Sequence, residues 1–339
     1  MSKKITRREF LQGTAAVIGS MTMSKNVIAN AGTDVSSQQT LANQGDRPKV
    51  FFTKEISQDS ILKVYQALQH ALPGKVAVKL HSGEPGGHHY PSPKLIEPLV
   101  QSVKGTIVEC NTAYQGKRFD TASHMKVMKD HGFADIAPVD IMDAEGSIAL
   151  PCPPGSKNLS ENYVGAHLTN YDSFLIFSHF KGHAMGGFGG ALKNMSIGIG
   201  SATGKMWIHT AGKTDSLARF NDAFETNQNR FLESMAEAAG SVMMRLGPKH
   251  LAYVNLMNNL SVDCDCDSHP APPELADIGV LASLDPVALD KACIDLVYSA
   301  DKQHSAALRE RIESRNGTHI LAHAEYLKLG SQEYELVMI

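Results

Sequence analysis

The sequence predicts an α/β protein, with mostly parallel sheets, helices on both faces and two lobes around a cleft. Three observations carry that expectation. Short runs rich in Val, Ile and Phe alternate with stretches whose apolar residues recur at helical spacing, as in a parallel sheet covered by crossover helices. Glycine-rich loops follow several runs, at the place where such sheets hold ligands. At Asp285-Pro286 a capping side chain meets the imino acid favoured at the first helical position.

In chain order, Lys49-Val50-Phe51-Phe52-Thr53 is the first expected strand. Ile61, Val64, Tyr65 and Leu68 mark a helix over 58–72 that stops at Pro73-Gly74. Residues 75–80 form a second strand, 93–103 a helix and 106–110 a third strand. In the second half, a strand over 173–177 runs into a glycine-rich loop. A long helix is expected over 215–245, with Phe220, Phe224, Phe231, Met235 and Val242 on its buried side. Strands over 251–256 and 278–282 follow, then the helix from Pro286, whose Leu289, Cys293 and Leu296 share a face. The first lobe is thus 48–165 and the second 166–339, together one domain.

Ahead of these elements, Lys3 and Lys4 precede Thr6-Arg7-Arg8-Glu9-Phe10-Leu11, the twin-arginine export pattern. A moderately apolar stretch then ends at Ala29-Asn30-Ala31, the small-x-small pattern that a signal peptidase cuts. It is too short and polar for a lasting membrane span, which needs about 20 apolar residues. Residues 1–31 read as the signal and 32–47, rich in Ser, Thr, Gln and Asn, as a flexible tether. The expected partners are the twin-arginine translocase and signal peptidase, and the location is periplasmic or otherwise extracytoplasmic. Chains on this route fold before export, which favours a cofactor installed inside the cell.

A net charge of −3 and the absence of a Lys/Arg run argue against nucleic acid as a partner. Five cysteines are too few and scattered for a disulfide scaffold, whereas fifteen histidines stand out. His81-Ser82-Gly83-Glu84 opens a loop at a strand end, where an imidazole and a carboxylate can bind metal or move protons. The second loop holds Lys181, His183, Gly186, Gly187, Gly189, Gly190 and Lys193. Its glycines allow close backbone approach to an anion, and a desolvated Lys193 amine would be nucleophilic. His209 stands beside Trp207, the only tryptophan.

Asp263-Cys264-Asp265-Cys266-Asp267, followed by His269, gives two thiols able to reach one ion. Neighbouring carboxylates raise thiol pKa values unless a cation neutralises the group, which points to a metal. Asp263, Cys264, Cys266, His269 and His209 are therefore the candidate ligands. The alternative is a disulfide from Cys264 or Cys266 to Cys110 or Cys152.

The strand leading to His81, the Lys181–Asn194 segment, Asp263-Cys264-Asp265-Cys266 and the 277–290 run resemble the domain-of-unknown-function family numbered 362, over about residues 48–330. Many members carry a ferredoxin-like insertion with clustered cysteines and an iron–sulfur label. This chain runs from His209 into the 215–245 segment without a cysteine, so no such module is present. His183, Lys193 and His209 are similar in order and spacing to nickel-pincer lactate racemases. That resemblance implies Lys193 as anchor of a pincer nucleotide, His209 as metal ligand, His183 as acid/base and the glycines as phosphate holders. The racemase Asp-x-x-Arg signature is replaced here by His81-Ser82-Gly83-Glu84, so lactate is not implied.

The expected function is an enzyme dependent on a transition metal (iron or nickel), with a pincer nucleotide or an iron–sulfur cluster as further options. It would act on a small organic ligand by proton or hydride transfer, with His183, His81 and Glu84 handling protons. The alternative is a non-catalytic periplasmic metal- or ligand-binding protein.

Overall fold

All six expected strands form, and the chain adds others between them. The computed structural model describes residues 47–339. The expected signal (1–31) and the tether (32–47), except Arg47, lie outside them. The elements are β1 (Lys49–Thr53), α1 (Gln58–Gln66), β2 (Val76–Lys79), α2 (Pro93–Ser102), β3 (Thr106–Glu109), α3 (Thr121–Asp130), α4 (Phe133–Ile136) and β4 (Val139–Ile141). There follow β5 (Ser147–Pro151), β6 (Glu161–Gly165), β7 (Ser173–His179), β8 (Lys181–His183), β9 (Gly187–Gly189), α5 (Ala191–Ser196) and α6 (Ala202–His209). The chain ends with α7 (Asp222–Glu225), α8 (Gln228–Leu246), β10 (Leu251–Met257), β11 (Gly279–Ser283), α9 (Pro286–Ser299), α10 (Ala306–Ser314), α11 (His319–Tyr326) and β12 (Glu335–Met338).

Eight strands make one sheet in the order β12-β1-β11-β10-β7-β2-β3-β4. Pairing is parallel from β10 through β7, β2 and β3 to β4, while β11 runs against both neighbours. Both halves of the chain supply strands to this sheet, and residues 47–339 form one compact unit. β7 shows why the sheet needs cover on both faces. Phe174 and Ile176 join one core cluster, with residues of α5, α8 and α9; Leu175 and Phe177 join the other, with residues of α1 and α2. Each such fully buried side chain contributes roughly 1.5–3 kcal/mol.

Asp285 caps α9 as its sequence announces, accepting from the Val287 and Ala288 amides, with Pro286 at the first helical position. The helix expected over 215–245 breaks. A 3-10 turn (Leu217–Arg219) and α7 precede α8, because the Asn227 side chain caps a fresh helix by accepting from Asn229 and Arg230. Phe231, Met235 and Val242 are buried on α8, but Phe224 is exposed and Phe220 half-exposed. Among the described residues no helix is long and apolar enough to cross a membrane.

Candidate metal centre

β2, β7 and β10 are parallel neighbours, so the loops that follow them leave from the same edge of the sheet. Backbone bonds tie these loops together: Glu84 N donates to Asp265 O and Gly182 N to Ser261 O, both at 2.8 Å. Gly182 is needed for that contact, since a Cβ there would lie 2.2 Å from the Val262 oxygen. The β8–β9 hairpin therefore lies flush against the cysteine loop.

One result is a cluster of soft donors. Ligand atoms of His183, Cys264 and Cys266 all lie within 4.8 Å of one another. His183 and Cys264 are buried and Cys266 half-buried. The Cys264 thiol is held well below its ordinary pKa, foremost by its hydrogen bond with Cys266. Lys193, Lys181 and His183 add to this against the cost of burial. The Cys266 amide also donates to the Cys264 sulfur, at 3.3 Å.

Burial, with the Lys193 charge, holds His183 down to about 4, so its ring is neutral at pH 7. Its Nδ1 accepts from the amides of Gly186 at 2.9 Å and Met185 at 3.2 Å. The ring proton is therefore on Nε2, available for the bond to Cys264. The two sulfurs suit a thiophilic ion once Cys266 releases the proton it donates to Cys264. His183 Nε2 joins them as a ligand once its proton moves to Nδ1, which requires the 185–186 turn to withdraw its N–H groups.

His209 lies outside this trio but within electrostatic reach of Lys193 and His183. Its Nδ1 donates to the Lys205 carbonyl at 2.6 Å, which leaves the Nε2 lone pair free of its own proton. The ring stacks on Phe231 at 4.9 Å, and burial foremost holds it down to about 3. His81 lies within electrostatic reach of Cys264, and burial and then the Arg118 charge push it well below its ordinary value. Its Nδ1 accepts from Gly83 N at 3.0 Å.

Other candidate residues are occupied within the fold. Glu84 is buried against Arg118, at 3.1 Å from Nη2, and accepts from the Tyr114 hydroxyl at 2.8 Å. Arg118 also faces Glu109 at 3.6 Å, which in turn holds Lys79 at 2.8 Å. The carboxylates of the cysteine loop do not join the sulfurs. Asp263 binds Arg311 at 3.3 Å and the Ala271 amide at 3.0 Å. Asp265 binds Lys181 at 2.6 Å and His179 at 2.9 Å. Asp267 accepts from the His269 amide, and the exposed His269 ring meets Ser268. Protein cations and amides, rather than a metal, thus answer these acids.

The glycine turn is also filled from within. Asp290, fully buried on α9, accepts from the Ala191 amide at 2.7 Å and the Leu192 amide at 3.0 Å. A Cβ at Gly190 would stand 2.3 Å from Asp290 Oδ1. The first α5 amides therefore hold this chain's own carboxylate where a phosphate was expected. Gly186 and Gly187 pack near Met235 and Gly317, and Gly189 passes under Lys181 and Lys193. A pincer nucleotide finds no phosphate seat at this turn. All five cysteines are free, so the alternative bridges from Cys264 or Cys266 do not form.

Arg118 and Asp290 went unnoticed in the sequence, while His179 and Asp265 stood inside the candidate loops without a separate role. His179 had a signal, standing two positions before Lys181 at a strand end. Both its ring nitrogens face acceptors, the Asp265 carboxylate and the Asn258 carbonyl at 2.6 Å. Asp290 had none, because its contact spans about a hundred residues.

The family described as a domain of unknown function, DUF362, matches residues 76–295. No curated protein matches. Among solved structures, the lactate racemase apoprotein from Thermoanaerobacterium thermosaccharolyticum aligns with a TM-score of 0.41 and 12% identity, covering 85% of this chain and 82% of that one. A structural-genomics target from Thermotoga maritima aligns with a TM-score of 0.37 and 14% identity, covering 73% of this chain; the match spans 60% of that chain. Likenesses this loose carry no argument about function.

Proposed function

The chain belongs to the DUF362 family, and from its own side chains we propose that it is a metal-dependent enzyme acting on a small organic substrate by proton or hydride transfer. The observation that carries this reading is the convergence of His183, Cys264 and Cys266 within 4.8 Å beside two lysines. A thiolate pair selects a thiophilic transition metal such as nickel or iron over magnesium or calcium. Bound there, the metal would supply Lewis acidity to a substrate atom. Cys264 and Cys266 would hold it, with His183 as third ligand if its proton moved to Nδ1.

The surrounding residues handle charge and protons. His81 and His209 are neutral imidazoles within electrostatic reach of the trio, one with its proton on Nε2 and the other with it on Nδ1. One can therefore give a proton and the other take one. Glu84, bound by Arg118 and Tyr114, fixes the loop rather than moving protons.

We further propose twin-arginine export before the protein acts. Replacing Arg7 and Arg8 by Lys should keep the chain in the cytoplasm, and unchanged export would refute this. The metal reading is tested by elemental analysis of the exported chain, purified without oxygen. About one transition-metal ion per chain is expected in the wild type, and little in Cys266→Ser. Equal metal in both would remove the proposed ligand set.

A further inference from the structure

Three cations around the centre are paired with acids, which leaves Lys205 and Lys193 without a carboxylate. Lys79 and Arg118 balance Glu109 and Glu84, and Lys181 is bound to Asp265. Lys205 gives its ammonium to the carbonyls of Gly200 at 2.6 Å and Cys110 at 3.4 Å. Lys193, half-buried, has neither an ion pair nor a hydrogen-bond acceptor among the described residues. Its chain crosses Gly189 beside that of Lys181: a Cβ there would meet Lys193 Cδ at 3.6 Å and Lys181 Cε at 3.7 Å. From this position it acts on Cys264, His183 and His209.

Metal loading sharpens the imbalance. A divalent ion on two thiolates and a neutral imidazole carries no net charge, so the sulfur that attracted Lys193 becomes a metal ligand. The ammonium is then left partly desolvated and unpaired, a costly state. Three protein ligands also leave a fourth coordination position open.

We propose that the loaded centre takes a small carboxylate, which bridges the open metal position and the Lys193 ammonium. This rests on the metal centre proposed above. Asp290 already fills the neighbouring amides at Ala191 and Leu192, so the anion does not seat in the glycine turn. Metal and carboxylate bind cooperatively, because without metal the anion meets the thiolates at Lys193.

The test uses the cobalt(II)-loaded chain, whose sulfur-to-cobalt charge-transfer band reports the fourth ligand. Acetate should shift the band saturably and acetamide should not. Lys193→Met should take up one cobalt(II) with the same band yet bind acetate at least about tenfold more weakly. Lys193→Arg should stay near wild type, which guards against a folding defect. Equal acetate affinity in Lys193→Met, or a wild type that binds cobalt(II) but ignores acetate, would overturn the carboxylate proposal alone. A wild type without any charge-transfer band would remove the metal centre and this proposal together.

Discussion

The loop after β2 and the loops after β7 and β10 reach the same sheet edge with similar residue types, yet they end in opposite states. In the first, Glu84, Arg118, Glu109 and Lys79 form a closed chain of buried ion pairs, and His124 lies neutral behind them. In the second, two sulfurs and an imidazole face one another, and Lys193 acts on them without a carboxylate partner among the described residues. Both regions are rich in charge and histidine. What separates them is whether each polar group has already been answered by the fold, because only unanswered groups remain free to bind something else.

The largest expected effect breaks the open region. Cys264→Ser should lower metal affinity by more than about 100-fold with little change in fold, since a ligand counts for more than a supporting contact. Glu84→Gln should do the reverse. It leaves Arg118 short of a buried partner and should cost about 3 kcal/mol in denaturant unfolding, with metal stoichiometry retained. If Glu84→Gln lost metal as completely as Cys264→Ser, the two regions would be one functional unit and the comparison would fail.

A smaller effect sharpens the closed region through pH. Burial foremost, with the Arg118, Lys205 and Lys79 charges, pushes His124 from its ordinary 6.5 down to about 3. Its Nε2 has no hydrogen-bond partner among the described residues. The folded value lies below the unfolded one, so the unfolded chain takes up the proton first as pH falls. The stability linked to this group is intact above pH 6.5 and is lost as pH drops toward about 3. The slope approaches about 1.4 kcal/mol per pH unit. His124→Gln should flatten that part of the stability–pH curve; an identical curve would show that His124 is not held neutral. The smallest expected effect is at Asp263 and His269. Asp263→Asn and His269→Ala should leave metal affinity within about twofold, because Asp263 is turned to Arg311 and Ala271 and His269 to Ser268. Metal loss in either would restore them as ligands.

Much of this was legible in the sequence, and the rest had identifiable reasons to stay hidden. The strands and the α9 cap followed from local pattern, because apolar alternation and Asp-Pro chemistry act over a few residues. Cys264, Cys266 and His183 could be picked out, since soft donors at strand ends are rare enough to notice. Their grouping was less accessible. His183 joined the cysteines only because Gly182 lets the hairpin lie on Val262. Asp263 and His269 were read as ligands because sequence proximity says nothing about which way a side chain faces. The glycine turn was read as a phosphate site because its occupant, Asp290, comes from a helix about a hundred residues away. The 215–245 helix was overextended because the Asn227 cap competes locally with an otherwise continuous apolar pattern.

The central claim is that an ion sits on the two sulfurs of the 264–266 loop. X-ray absorption at the metal edge of the chain, purified anaerobically, counts those sulfurs directly. The account predicts about two sulfur atoms near 2.3 Å with lighter nitrogen or oxygen neighbours completing the shell. A shell of nitrogen and oxygen alone would contradict it.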